Sequence, residues 1–114
     1  MSMNNLANML SMERRYVEAE KLQRETLDIQ RRVLGPNHPD TAMSTYNLGG
    51  IALHKGKRDE ALSLLREAVD HGLAPNIALY LEKDPDLELL RGDPRFAALV
   101  THARELAAAT QNRP

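Results

Sequence analysis

Residues 1–28 read MSMNNLANMLSMERRYVEAEKLQRETLD, and residues 43–70 repeat that string as MSTYNLGGIALHKGKRDEALSLLREAVD. Ten of the 28 aligned positions are identical, and the alignment needs no gap. A fixed period of this length is typical of repeat proteins, in which neighbouring units cover each other's apolar faces. The duplication therefore predicts an interaction scaffold and leaves the bound molecule unnamed. In the first copy the identical residues are Met1, Ser2, Asn5, Leu6, Glu18, Ala19, Leu22, Arg24, Glu25 and Asp28.

The composition narrows the class of protein. The chain has 114 residues, the length of one domain, and its net charge of −1 provides no global basic field for nucleic acid. There is no cysteine, which excludes disulfides, thiolate zinc sites and cysteine nucleophiles and fits a cytoplasmic location. No apolar run approaches the roughly 20 residues of a membrane span. Met1–Leu10 has no hydrophobic block typical of a signal peptide.

Apolar spacing predicts four helices that form two hairpins. The first copy gives a short helix at Met3–Met12 and a long helix at Tyr16–Leu34; the second gives Met43–His54 and Asp59–His71. Pro39 or Asp40 opens the second short helix, and Gly35 and Gly72 end the long ones. We expect Ala19, Leu22, Thr26, Ile29 and Val33 to form the buried stripe of the first long helix. The second copy places Ala61, Leu64, Leu65, Ala68 and Val69 on the matching face.

Beyond Gly72 the repeat decays into what resembles a capping unit. Pro75–Lys83 can start a third short helix, and the pairs Asp84-Pro85 and Asp93-Pro94 should each open a helix. We therefore divide a single domain, 1–109, into repeat one (1–42), repeat two (43–74) and a degenerate cap (75–109), followed by a frayed tail (110–114). The expected buried residues of the cap are Ile77, Leu79, Tyr80, Leu81, Leu87, Leu89, Leu90, Phe96, Leu99, Val100, Ala103 and Leu106.

These residues resemble the tetratricopeptide repeat, whose pattern places large residues around Leu-Gly and, further on, Ala-x3-Phe. Thr45, Leu48-Gly49, Ala52, Ala61 and Leu65 match it in the second copy. In the first copy the matching residues are Met3, Leu6-Ala7, Leu10, Ala19 and Gln23, of which Gln23 departs from the apolar pattern. The resemblance implies an all-α, α-α superhelix of two helical hairpins with a C-terminal helical cap, acting as a protein-binding module.

The period of 42 residues is longer than the 34 usual for this repeat. Together with the segment VLGPNHPDT at residues 33–41, it is similar to the kinesin-light-chain-like subclass found in bacterial multidomain proteins. The segment DPDLELLRGDPRF at residues 84–96 resembles the C-terminal end of bacterial repeat arrays, some of which are attached to serine/threonine kinases.

In this family the short helices line a concave groove that holds a peptide. In this chain Asn5 and Asn47 are repeat counterparts, and each side-chain amide offers a donor and an acceptor that suit a peptide backbone of any sequence. The alternative is that these amides bond to neighbouring helices or face water. The resemblance gives the following groove candidates: Asn4, Asn5, Asn8, Met12, Tyr46, Asn47, Gly50 and His54.

We expect no enzyme, metal site or cofactor. None of His38, His54, His71 and His102 has a metal-ligand spacing to another residue, and no phosphate loop or nucleophile motif is present. The arginines between Arg14 and Arg32 alternate with acids, as on a solvated, ion-paired face and unlike a nucleic-acid patch. The expected partner is a protein or peptide. Two alternatives remain: a homo-oligomer formed through the open first hairpin, or a regulatory fragment of a larger protein.

Overall fold

The computed structural model describes residues 15–111 of the chain, which form helices and turns with no strand. The predicted first helix, Met3–Met12, therefore lies outside the described residues. The helices are α1 (Tyr16–Val33), α2 (Pro39–His54), α3 (Arg58–Asp70), a single turn α4 (Pro75–Ala78) and α5 (Pro94–Gln111). Two 3₁₀ segments, Leu81–Lys83 and Pro85–Leu90, separate α4 from α5. The predicted long helices agree with α1 and α3 to within a residue at each end.

Local signals explain where α2 begins and where α1 ends. Pro39 occupies the first turn of α2, and the His38 ring nitrogen Nδ1 accepts the Asp40 N–H at 3.1 Å. Arg31 and Arg32 lie in the last turn of α1, where positive charge favours the helix dipole. Because α2 starts at Pro39, it begins four residues before Met43, where the second copy of the duplicated string begins.

The turn that follows α1 and the turn that follows α3 contact each other. Gly72 has φ +107°, and a Cβ placed on it would lie 2.4 Å from the carbonyl oxygen of Asn37. The adjacent His71 ring lies 2.9 Å from the Asn37 side-chain oxygen. The turn after α3 therefore packs directly on the turn after α1, and only glycine fits at the point of contact.

The core is continuous from the second hairpin into the cap. α2 packs against both α1 and α3, and α5 packs against α4 and α3. Ala61, Leu65 and Ala68 of α3 belong to the same buried cluster as Leu81, Leu87, Leu90 and Phe96 of the cap. Ala19 of α1 joins Ile51 of α2 in a smaller cluster. Residues 75–111 thus cover the open face of the second hairpin, the role expected of a cap.

Several burial expectations were wrong, in the cap, in α1 and in α5. Leu79, Tyr80 and Leu89 are exposed because the cap follows the three-residue period of 3₁₀ geometry. Its buried stripe has that spacing: Ala78, Leu81, Asp84, Leu87 and Leu90.

The buried stripe of α1 is also rotated from its expected position. Ala19, Gln23, Thr26 and Leu27 are buried, whereas Ile29 is 43% exposed and Val33 is 74% exposed. In α5, Ala107 is buried in place of Leu106. The α1 stripe follows the side that meets α2 and α3, so Ile29 and Val33 lie beyond that contact.

Candidate functional site

The predicted groove residues divide between the part of the chain that the structure describes and the part that it does not. Asn4, Asn5, Asn8 and Met12 lie outside the described residues. Tyr46, Asn47, Gly50 and His54 all lie on α2. Their contact with a peptide stays a prediction, but their positions on α2 can be compared.

A single line of accessible residues runs along an otherwise buried helix. Between Thr41 and His54, every residue of α2 is buried except Met43, Asn47, Gly50 and His54. Their spacing of four, three and four residues places them on one side of the helix. We call these four residues the α2 strip. It contains three of the residues that the sequence selected, together with Met43, which the sequence did not select.

The two adjacent glycines of α2 have different surroundings. A Cβ on Gly49 would lie 2.9 Å from Cγ and Cδ2 of Leu65, so this glycine permits α3 to pack closely on α2. A Cβ on Gly50 would have no heavy atom within 4 Å. The open space beside the α2 strip is therefore next to Gly50, where no side chain fills it.

Asn47 lies one turn before Gly50 and is half-buried. Within the described residues its side-chain amide has no hydrogen-bond partner. A half-buried amide beside open space has a donor and an acceptor available to a ligand, and this pair of groups matches a peptide backbone.

Tyr46 supports the α2 strip from inside the fold. Its ring is 6% exposed, and its hydroxyl donates a hydrogen bond to the Asp84 carboxylate at the start of the second 3₁₀ segment. Burial, and then the bond to Asp84, raise the pKa of the Tyr46 hydroxyl well above its ordinary range, so the phenol stays neutral. Asp84 also accepts the Asp86 N–H at 2.9 Å, which caps that segment. Tyr46 therefore joins α2 to the cap.

His54 closes the other end of the α2 strip. Its ring stacks on Tyr16 of α1 with centroids 5.2 Å apart and planes 2° from parallel. Its Nε2 lies 3.7 Å from a carboxylate oxygen of Asp86 in the cap. Nearby, the Lys55 ammonium contacts Glu20 at 2.6 Å, and this contact is the main cause of the lowered pKa of Glu20. These contacts hold the start of α1 and the cap on either side of the strip.

The sequence predicted ion pairs on the surface of α1 but did not predict the ion pairs between α1 and α3. The acids and arginines of α1 were expected to form a solvated, paired face, and Arg24 does contact Glu20 within α1. Other pairs cross between helices: Arg24 contacts Glu60 at 3.2 Å, and Arg31 contacts Glu67 at 3.1 Å. The separation of 36 residues between the partners, close to the repeat period, was the signal that could have revealed them.

Other classes of site have no comparable geometry within the described residues. No three His, Cys, Asp or Glu side chains between residues 15 and 111 are grouped to hold a metal ion. Over the same span, no helix has the length and apolar character needed to cross a bilayer.

A cleft of about 900 Å³ opens beside α5, between Lys83 and Arg91 on one side and Val100 on the other. It shares no lining residue with the α2 strip.

Residues 1–71 match the family model of the tetratricopeptide repeat. This stretch contains both copies of the duplicated string and ends within the turn after α3. The comparisons with curated proteins and with solved structures gave no match.

Proposed function

Since the chain belongs to the tetratricopeptide repeat family, whose members generally mediate protein–protein interaction, we propose that it binds a peptide segment along the α2 strip. The observation that carries this proposal is the row of accessible positions on an otherwise buried helix, with open space at Gly50. The Asn47 amide supplies the polar contact. Repeats of this family are typically non-catalytic.

The bound segment would run across both short helices of the repeats. Asn5 is the repeat counterpart of Asn47, so two amides one repeat apart can each bond to the backbone of one ligand. Asn4, Asn8 and Met12 are the counterparts of Tyr46, Gly50 and His54. Hydrogen bonds from these amides to a peptide backbone contribute affinity but depend little on the sequence of the peptide. Met43 and His54, on the same strip, would therefore supply the preference for particular side chains.

Gly50→Arg is the sharpest test, because the substitution fills the site without disturbing the fold. A side chain at Gly50 meets no atom within 4 Å at its Cβ, and replacing glycine inside a helix stabilises it by up to about 1 kcal/mol. Ser63→Arg, on the exposed side of α3, adds the same side chain elsewhere and is the matched control.

The assay uses a random 12-residue peptide library selected on the unmodified chain, followed by binding measurements with the enriched peptides. We expect Gly50→Arg and the Asn5→Ala/Asn47→Ala variant to lose at least about tenfold in affinity, which is the loss expected for roughly one to two hydrogen bonds. Ser63→Arg should bind as the unmodified chain does. Full binding by Gly50→Arg would place the ligand elsewhere.

The proposal also covers the subclass of the repeat and the location of the protein in the cell. The period of 42 residues and the segment at residues 33–41 support membership of the kinesin-light-chain-like subclass, of bacterial type. The lack of cysteine supports a cytoplasmic location.

A second candidate is association through α1, either with another copy or, for a regulatory fragment, with the rest of a larger protein. Val17, Ile29 and Val33 are exposed apolar residues on that helix and favour such a contact. Light scattering of the purified chain tests it: a dimer that Val33→Glu converts to a monomer supports self-association, and a monomer at all concentrations contradicts it.

A further inference from the structure

The cleft beside α5 lies outside the residues that match the family model, which end at residue 71. Its volume of about 900 Å³ falls in the range of ligand-binding pockets. One wall is a side of α5, where the lining residues recur every three or four positions from Pro94 to Arg104, about 15 Å along the helix. The opposite wall is formed by the first 3₁₀ segment and the turn before α5. The lining residues of this second wall are Glu82, Lys83, Arg91 and Gly92.

Short side chains leave the middle of the cleft open. Ala97 and Thr101 are the central residues of the α5 wall, and the Thr101 hydroxyl donates to the Ala97 carbonyl at 3.2 Å, so it lies against its own helix. On the other wall, a Cβ placed on Gly92 would meet no atom within 4 Å. Phe96 and Val100, which belong to the buried core, close the base of the cleft. An entering side chain therefore meets an apolar base.

The carboxylates that line the cleft are already paired. Glu82 and Arg104 form an ion pair between the two walls. Asp93, whose side chain is 8% exposed, contacts Arg58 at 3.4 Å and Arg95 at 3.1 Å. Neither of these two arginines lines the cleft. Each negative charge of the lining is thus matched by a cation of the fold.

Two cations of the lining have no comparable partner among the described residues. Lys83 is exposed and makes no ion pair with residues 15–111. Arg91 lies 3.9 Å from Glu88, three residues before it, and the two side chains are 47% and 70% exposed. An exposed pair at that distance is weak, so a ligand can replace the glutamate. Lys83 and Arg91 therefore give the cleft an excess of positive charge, although the whole chain has a net charge of −1.

We propose that this cleft is a second binding site, separate from the α2 strip, for an acidic peptide segment of a partner protein. Carboxylates of the segment pair with Lys83 and Arg91, and one large apolar side chain between them lies on Phe96 and Val100. A length of about 15 Å accommodates roughly four to five residues of extended chain. A polyphosphate fits this lining less well, because two carboxylates share the cleft and the apolar base offers no polar contact. The proposal does not depend on peptide binding at the α2 strip.

Nuclear magnetic resonance of the full chain tests the site directly. The probe is a set of capped eight-residue peptides in which four aspartate or glutamate residues surround a leucine or phenylalanine. A matched basic set carries lysine in place of the acids. We expect the acidic set to shift the amide signals of Gly92, Ala97 and Thr101 saturably, with Kd below about 1 mM. The basic set should leave these signals unchanged.

Charge reversal tests the two cations. Lys83→Glu/Arg91→Glu should weaken binding of the acidic set by at least about tenfold and should create binding of the basic set, which a loss of folding would not do. Lys21→Glu/Lys57→Glu is the matched control with the same change in net charge. Lys21 is exposed without an ion pair to the described residues, and Lys57, like Arg91, lies 3.9 Å from a glutamate. At about 0.15 M salt, where distant charges are screened, the control should bind the acidic set as the unmodified chain does.

A neutral substitution tests the apolar part of the contact. Ala97→Gln places a longer polar side chain in the cleft and should weaken binding of the acidic set by at least about threefold. Ala98→Gln makes the same change at the next, exposed position of α5, which does not line the cleft, and should leave binding unchanged. The two variants share the same change in helix propensity, so a difference between them reports on the cleft.

Four results would overturn the proposal. The acidic set could shift no amide of the cleft, or charge reversal could leave its affinity unchanged. Pyrophosphate could shift the same amides at lower concentration than the peptides, which would make a phosphate group the ligand. The cleft signals could shift with the concentration of the chain alone, which would make a second copy the occupant. A change of preference from acidic to basic peptides on charge reversal, with the control unchanged, would support the proposal.

Discussion

Gln23 provides a direct test of how the first repeat is packed. Its side chain is 0% exposed, and neither Nε2 nor Oε1 has a hydrogen-bond partner. An unpaired buried amide costs about 1–3 kcal/mol. Methionine has nearly the same length and shape without the amide, so Gln23→Met should raise the free energy of unfolding by about 1–3 kcal/mol. In a domain of this size the corresponding rise in Tm is roughly 3–6 °C for each kcal/mol.

The second repeat supplies the reverse experiment. Leu65, the counterpart of Gln23, is also 0% exposed, and it packs on Gly49. Leu65→Gln should lower the free energy of unfolding by about 3–5 kcal/mol, since it removes a buried leucine and adds an unpaired amide. Urea unfolding followed by circular dichroism at constant pH gives both values. A Gln23→Met midpoint equal to or below that of the unmodified chain would refute the reasoning, because it would mean that the amide is paired in solution.

Two further predictions concern a turn and a charge. Gly72→Ala should destabilise the fold by more than about 2 kcal/mol, because its Cβ would meet a backbone carbonyl. Gly56→Ala, also at positive φ but in open space, should cost about 1 kcal/mol. Thermal unfolding compares the two variants, and equal losses of stability would contradict the close packing of the turns. The arginines around Asp93 lower its pKa from 3.8 to about 2, so its stabilising contribution is complete above about pH 4 and is lost as the pH falls through 2. Urea midpoints of the unmodified chain and Asp93→Asn, which can keep the helix cap, should converge over that interval, and a constant difference would argue against this charge effect.

The fold followed from the sequence where the helical period held. The duplicated string predicted α1, α2 and α3, and capping residues such as Pro39 and Gly35 predicted helix ends to within a residue or two. Prediction failed in the cap, where a 3.6-residue period was applied to 3₁₀ segments with three residues per turn. On the three-residue period, Leu87 and Leu90 are buried and Leu89 is exposed, as the structure shows.

The candidate site could be predicted in position but not in detail. The family resemblance selected Asn47, Gly50 and His54, and all three lie on the accessible side of α2, while their contact with a peptide stays a prediction. The role of Tyr46 was missed because it depends on Asp84, which is 38 residues away and belongs to the cap. Contacts between elements that differ in sequence have no periodic signal, so repeat reasoning alone does not reveal them.

The contact between the turns at Asn37 and Gly72 has a consequence for how such repeats can be exchanged. Because one turn rests on the next with no room for a Cβ, the length and path of each turn must match those of its neighbour. A hairpin with a shorter connection could satisfy the helix faces and still fail to join the array. Recombination should therefore succeed between units that share this turn, and a foreign repeat would have to bring both turns with it.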